Sequence, residues 1–309
     1  CSKKEEPEKE TGVVELSVRM KWFFAGTMSH FFYGKELGIF EEKGLKLTIH
    51  SGGPDNNSII LVAAGSDAIG VTSADEALVA IQKGIPIKII GTLFYKSPIV
   101  FISKKNRNLD KFENLKKRKV EIDFGSNAEI QFRAFSEAVG LRKEDYFEQP
   151  YTYNLIPFLE DKVDYSVAYE MDQINTLKSK GVEVNVFRPE EVGISLLGDV
   201  LICKLDYFDN NKETIDKFLK ALREAISISS KNPDKAAEAL VKSAQGLNSD
   251  NERKIYRDTV KFLSYKDHIL YNDMVLWEKT FEFLKNQKIL EPDKLPNWKS
   301  HIYWEGDKK

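Results

Sequence analysis

The 309 residues are 42% hydrophobic and 30% charged, enough chain for one large or two medium domains with real cores, which excludes a disordered tail or a peptide-sized scaffold. A formal net charge of −2 supplies no overall field for a polyanion and argues against nucleic acid as a partner. Two cysteines and four histidines, without ligand spacing, leave no disulfide framework or structural zinc site, and no run of about eighteen apolar residues is present to span a bilayer.

Residues 1–12 open with Cys1-Ser2 and continue through Lys3-Lys4-Glu5-Glu6-Pro7-Glu8-Lys9-Glu10, a polar tether with nothing to bury. This start resembles the mature end of a bacterial lipoprotein, which implies that Cys1 is a lipid anchor and that the folded part begins near Val13. From Val13 to about Ser103, short β-rich runs alternate with helical ones. Val14, Leu16, Val18 and Met20 alternate with polar residues, as do Leu45, Leu47 and Ile49, and both read as strands with one buried face. A helix is predicted over Phe31 to Leu37, closed by Gly38, and further helices over Asn57 to Ala64 and Asp75 to Gln82. Each of the latter two is followed by a glycine and then a β-rich run, ending at Val71 and Ile90. Repeated strand, helix and strand implies a mainly parallel sheet with helices on its faces.

A charged stretch, Lys104 to Lys119, interrupts the pattern before it restarts at Val120 to Phe124. Helices over Glu129 to Val139, Leu155 to Glu160 and Met171 to Lys180, with strands Tyr165 to Ala168 and Val184 to Phe187, make a second α/β unit. Asp199 to Cys203 reads as a buried strand in which Cys203 is a core thiol. Beyond Asp206 the pattern is helical: Ile215, Phe218, Leu219, Leu222 and Ile226 form one apolar face, Pro233 starts another helix, and two more are predicted at Ile255 to Leu263 and Met274 to Leu284. The expected architecture is two α/β lobes, the first finished by the returning C-terminal segment.

Nucleophile elbows, phosphate loops, zinc-protease helices and dinucleotide glycine fingerprints are all missing from the sequence. Polar and aromatic residues instead gather where strands end, the place where α/β sheets receive small ligands. Trp22 to His30 follows the first strand, Ser73-Ala74-Asp75 opens a helix after Val71, Ser126-Asn127 opens one after Phe124, and Tyr169-Glu170 follows Ala168. Trp22 and Tyr169 would stack on a flat ring, Glu170 would accept its N–H groups, and Ser126 with Asn127 would close on its polar edges. Tyr95, just before Ser97-Pro98, joins the candidates. Each also has a plainer role: Ser73 and Ser126 cap helices in any protein, His30 suits a surface or a cap, and Glu170 favours a helix dipole.

The segments Lys21-Trp22, Lys35 to Leu45, Gly52-Gly53-Pro54, Val62 to Val71, Ser97-Pro98, Gly125 to Glu129 and Tyr169-Glu170 with Gly181-Val182 together resemble solute-binding proteins of bacterial ABC importers. The group concerned takes thiamine-pyrimidine precursors, riboflavin, nitrate or sulfonates. The resemblance implies a type II periplasmic-binding-protein fold, with lobe I at 13–103 and 200–309, lobe II at 104–199, and hinges near Ser103 and Val200. It also implies a protein outside the cytoplasmic membrane that captures a planar nitrogen heterocycle, an aminopyrimidine first and a riboflavin-like ring second. Delivery would be to a membrane permease, by a monomer without a cofactor. The family's pyrimidine-contacting glutamate falls on Glu170. Departures are Phe23-Phe24-Ala25 where relatives carry Pro-Asn, and His30 where a glycine is common. For an anion ligand, Arg133 is the candidate cation. The fungal thiamine-pyrimidine synthase shares the fold, but Met28 stands at its consumed histidine, and its cysteine-rich run is here Gly193-Ile194-Ser195-Leu196-Leu197-Gly198.

Overall fold

The structure, a computed structural model, describes residues 12–304, so the expected anchor Cys1 lies outside the described residues. Alternation makes β1 (Val14–Arg19) a strand whose inward residues Leu16 and Val18 are fully covered. The chain continues through α1 (Ser29–Glu36), β2 (Leu45–His50), α2 (Ser58–Ala63), β3 (Ile69–Ser73), α3 (Ala74–Gln82) and β4 (Ile87–Thr92). It then forms β5 (Ile99–Lys104), β6 (Lys119–Ile122), α4 (Asn127–Ala138), β7 (Phe147–Pro150), α5 (Ile156–Leu159), β8 (Tyr165–Tyr169), α6 (Gln173–Ser179) and β9 (Val184–Phe187). Last come β10 (Asp199–Lys204), α7 (Leu205–Asn210), α8 (Lys212–Lys231), α9 (Pro233–Ser243), α10 (Ser249–Thr259) and α11 (Met274–Asn286).

Among the described residues these strands form two five-stranded sheets, ordered β2-β1-β3-β10-β4 and β7-β6-β8-β5-β9. Each sheet contains a strand that arrives from the other lobe. β10 pairs antiparallel with β3 and β4, and β5 pairs antiparallel with β8 and β9, because each enters at the end where its neighbours finish. This is the two-lobe α/β architecture expected, with mixed sheets.

β5 stands in the second sheet, with Ser103 opposite Tyr165 and Asn185, so the chain changes lobe ahead of the hinge expected near Ser103. The outward passage is Leu93 to Pro98 and the return ends at Gly198. The two run side by side, with the Ser97 amide donating to the Leu196 carbonyl at 2.8 Å and the Gly198 amide to the Phe94 carbonyl at 2.9 Å. A Cβ on Gly198 would stand 2.6 Å from the Lys96 carbonyl oxygen, so this close approach requires glycine.

The first sheet is covered on one side by α1 and α8–α10 and on the other by α3 and α11, each side with its own apolar core. Ile215, Phe218, Leu219, Leu222 and Ile226 of α8 are all buried, as their spacing predicts. α10 begins earlier than its apolar pattern suggests, because its first turn is polar and Asn248 caps it by accepting from the Asn251 amide. Cys203 is fully buried in β10, and burial pushes its thiol up to about 12, consistent with a core role.

Gly34 lets α1 and α8 approach closely: an added Cβ would lie 2.6 Å from the Ala225 Cβ. Gly34→Val is therefore expected to cost about 1–3 kcal/mol of stability by overpacking. A denaturation midpoint equal to wild type would contradict this packing.

Candidate functional site

β1, β3, β6 and β8 all point their carboxyl ends at the gap between the lobes, and the residues that follow them line a cavity of about 320 Å³. Lys21, Trp22 and Phe23 come from the turn after β1, Asp123 to Ala128 from the turn between β6 and α4, and Tyr169, Asp172 and Gln173 from the end of β8 and the start of α6. Gly52-Gly53-Pro54 brings the turn after β2 against this edge. A Cβ on Gly52 would meet the Met20 carbonyl oxygen at 2.1 Å, and Gly53, at φ +125°, lies against the Phe23 ring.

The floor is polar and joins the lobes. Lys21 Nζ donates to the Tyr169 hydroxyl at 2.8 Å and lies 3.5 Å from Asp199 Oδ1, while the Tyr169 hydroxyl donates to Asp199 Oδ1 at 3.3 Å. Burial opposes the lysine charge, yet Tyr169, Asp199 and Glu76 together hold Lys21 well above the ordinary lysine range. Burial lifts the Asp199 carboxyl above its usual range even beside Lys21. For Glu76 the balance is reversed: burial would raise it, but the Lys21 charge and hydrogen bonds, among them Thr72 Oγ1 at 3.1 Å, keep it below the carboxylate norm.

One wall is aromatic. Trp22 meets Tyr153 of the other lobe with ring centroids 5.5 Å apart, Phe23 lies 5.3 Å from Trp22, and Tyr151 lies 5.4 Å from Tyr153. Tyr153 adopts φ +57°, which a bulky residue rarely does, and its hydroxyl donates to Asp123 Oδ1 at 3.1 Å. Carboxylates also line the cavity. Burial pushes Asp172 up to about 6, and Glu252 behind it up to about 7, with the Asp172 charge contributing. Glu252 accepts the Gly26 amide at 2.5 Å, tying α10 to the turn that holds Thr27 and Met28 in the cavity lining.

Of the residues expected in the site, Trp22, Ser126, Asn127 and Tyr169 share this cavity. Tyr169 does so through its hydroxyl network on the floor rather than as the free stacking face expected. Ser126 also caps α4, accepting from the Ala128 amide at 3.1 Å. The others lie outside the lining. His30 is fully buried in α1 against Phe31 and Tyr256, with neither ring nitrogen hydrogen-bonded, and burial pushes it down to about 3, so it is a neutral core group rather than a surface or capping histidine. Ser73, at the N-cap position of α3, and Asp75, in its first turn, are both buried, and Ser73 makes no side-chain cap. Tyr95 stacks on Tyr265 and donates to the Tyr271 carbonyl at 2.9 Å. Glu170 is drawn off to Arg188 at 3.1 Å and Lys261 at 3.2 Å, an ion pair that bridges the lobes beside the cavity. Arg133 is spent on Glu129, Glu148 and Tyr146, leaving Lys21 as the cationic side chain in the lining.

Lys21, Glu76, Asp172, Asp199 and Tyr153 were not among the expected site residues. The position of Lys21, immediately before Trp22, was the available signal. Asp199 was hidden inside a run read as buried strand, and Tyr153 inside a stretch without periodicity.

The family model described as NMT1/THI5 like matches residues 27–236. The riboflavin-binding protein RibY of Chloroflexus aurantiacus is 27% identical over 237 residues, covering 72% of this chain and 66%, just under two thirds, of that protein. A 4-amino-5-hydroxymethyl-2-methylpyrimidine phosphate synthase of Saccharomyces cerevisiae, THI11, is 26% identical over 289 residues, covering 88% of this chain and 83% of its own. Among solved structures, the alkanesulfonate-binding protein SsuA of Xanthomonas axonopodis pv. citri, bound to MOPS, superposes with a TM-score of 0.72 at 14% identity, over 95% of this chain and 99% of that one. The fold is thus that of the type II periplasmic binding proteins.

Because Glu252 is held above its unfolded value, its contribution to stability is present below about pH 4 and is lost as pH rises through about 7. Glu252→Gln keeps an acceptor for the Gly26 amide and removes that loss. Its Tm relative to wild type is expected to rise by a few degrees between pH 5 and pH 8, and a constant offset across that range would contradict the assignment.

Proposed function

Since the chain belongs to the NMT1/THI5-like family, we propose that it is an extracytoplasmic solute-binding subunit of an ABC importer that captures a planar nitrogen heterocycle between its lobes. The observation that carries this reading is one cavity that joins an aromatic cluster, Trp22 with Tyr151 and Tyr153, to the carboxylates Glu76, Asp123, Asp172 and Asp199. A flat ring inserted there buries both faces, and its edge N–H groups find Glu76, Asp172 or Asp199 as acceptors. An aminopyrimidine, with its exocyclic amine, carries such an edge. A riboflavin-like ring is the second reading, supported by a cavity of about 320 Å³ and by the likeness to RibY.

Binding rather than chemistry is the function proposed. Met28, at the position of the synthase histidine, lines the cavity with a thioether that serves neither as acid nor as base. The sulfonate reading has less support, because the cavity lining contains no arginine and its lysine already has two partners. Ligand would favour the closed form through contacts with both lobes at once, and that form would be the one presented to a permease.

Titration with 4-amino-5-hydroxymethyl-2-methylpyrimidine or riboflavin should quench tryptophan fluorescence, since Trp22 lies in the cavity wall. Trp22→Ala should weaken that ligand at least about tenfold, equivalent to about 1.4 kcal/mol of lost stacking and burial. Heat uptake or release with ethanesulfonate, and none with either heterocycle, would sink the proposal.

A further inference from the structure

Residues 169–176, which join β8 to α6, serve two surfaces at once. Tyr169, Asp172 and Gln173 line the cavity, while the residues between and after them turn to the other lobe. Met171 is fully buried in the apolar core that α8–α10 build against the first sheet. Asn175, buried in α6, donates through its side-chain amide to the Met171 carbonyl at 2.8 Å and to Asp258 Oδ2 of α10 at 2.7 Å. Beside it, Thr176 Oγ1 accepts from the Asn251 side chain, also in α10, at 3.1 Å. The pair of Glu170 with Lys261 lies along the same seam. A lobe II segment carrying three lining residues is thus fastened to lobe I by residues that are themselves outside the lining.

We propose that Asn175 is a positioning residue for the cavity: by holding the Met171 carbonyl and Asp258 together, it fixes the lining turn against α10 and sets the spacing of the lobes before a ligand arrives. The proposal rests on the cavity being the ligand site and names a residue that governs its width. Two features single out Asn175 among the contacts of the seam. Its amide is withdrawn from water, so losing its partners leaves a buried donor unsatisfied. Its acceptor across the seam is a carboxylate, and a charge-assisted bond is stronger than one between neutral groups. Glu170, by contrast, is shared between Arg188 and a half-exposed Lys261, and exposed pairs of that kind contribute little. A ligand therefore meets a cleft already near its closed spacing, and less of its contact energy is drawn off in ordering the turn.

The test uses no ligand. Small-angle X-ray scattering and hydrogen exchange are measured on the full chain as wild type, Asp258→Ala, Asp258→Asn and Asn175→Asp. Asp258→Ala, a change at an exposed position that leaves both cores intact, should shift the balance of open to closed lobes toward open by about three- to tenfold. That shift is read as a larger radius of gyration and as faster exchange confined to α6 and α10. Asp258→Asn keeps an oxygen acceptor and should stay close to wild type. Asn175→Asp sets two carboxylates face to face and should open the lobes at least as far, and combining it with Asp258→Asn restores a donor across the seam and should draw them back. If Asn175→Asp does not fold, the two Asp258 variants carry the comparison. A radius of gyration unchanged in Asp258→Ala, or exchange that rises equally in the strands of both sheets, would overturn the proposal, since the contact would then be idle or merely structural. Binding of a heterocycle is decided by the separate fluorescence titration, so the two readings fail independently.

Discussion

Lys21 sits where the two lobes and the returning strand meet, and its ammonium is the charge around which that junction is organised. Tyr169 comes from the second lobe, Glu76 from the first, and Asp199 from the start of β10 as it re-enters the first sheet. Four polar groups withdrawn from water would be costly one at a time, and together they neutralise and hydrogen-bond one another. A buried network of this kind contributes little net stability compared with packed apolar residues. Its value is geometric: it specifies how the strand ends of opposite lobes face each other.

The shape of the cleft follows from that arrangement. The crossing segments run as a hydrogen-bonded pair, Ser97 to Leu196 and Gly198 to Phe94, so the chain passes between the lobes twice at one place. Trp22 is carried beside Lys21 to the wall, within reach of Tyr153. Tyr153 is held in a left-handed conformation and tethered to Asp123, an arrangement that fixes the ring at some backbone cost. Rings and acceptors in one cavity match a planar guest with N–H edges, whereas Arg133, the cation expected for a sulfonate or nitrate, is absent from the lining. The solved relative named for alkanesulfonate binding shares the fold at 14% identity, so the likeness extends to the architecture and leaves the ligand to the side chains of this cleft.

The fold was legible because its signals are local. Alternation marked β1 and β2, the 3.6-residue apolar face of α8 matched its buried side, and glycines closed α1 and α3. β5 and β7 were missed as separate strands. β5 is apolar on both faces and adjoins the crossing, while β7 is short and only partly buried, so neither shows a clean period of two. Within the site, strand-end placement found Trp22, Ser126, Asn127 and Tyr169, which is a rule about position. What position cannot give is the direction of a side chain. Glu170 follows Tyr169 directly, yet two cations draw it outward, and His30 turns into the helical core against Tyr256. Glu76 was overlooked because it lies in the first turn of α3, inside a stretch that reads only as a helix, and the fold brings it to the cavity.

Native mass spectrometry of the protein purified from its own host measures the central claim most directly, since a guest held between two lobes survives gentle transfer. The account predicts an added mass that, once released, absorbs in the near ultraviolet as a nitrogen heterocycle. An anionic aliphatic molecule in that position would contradict it.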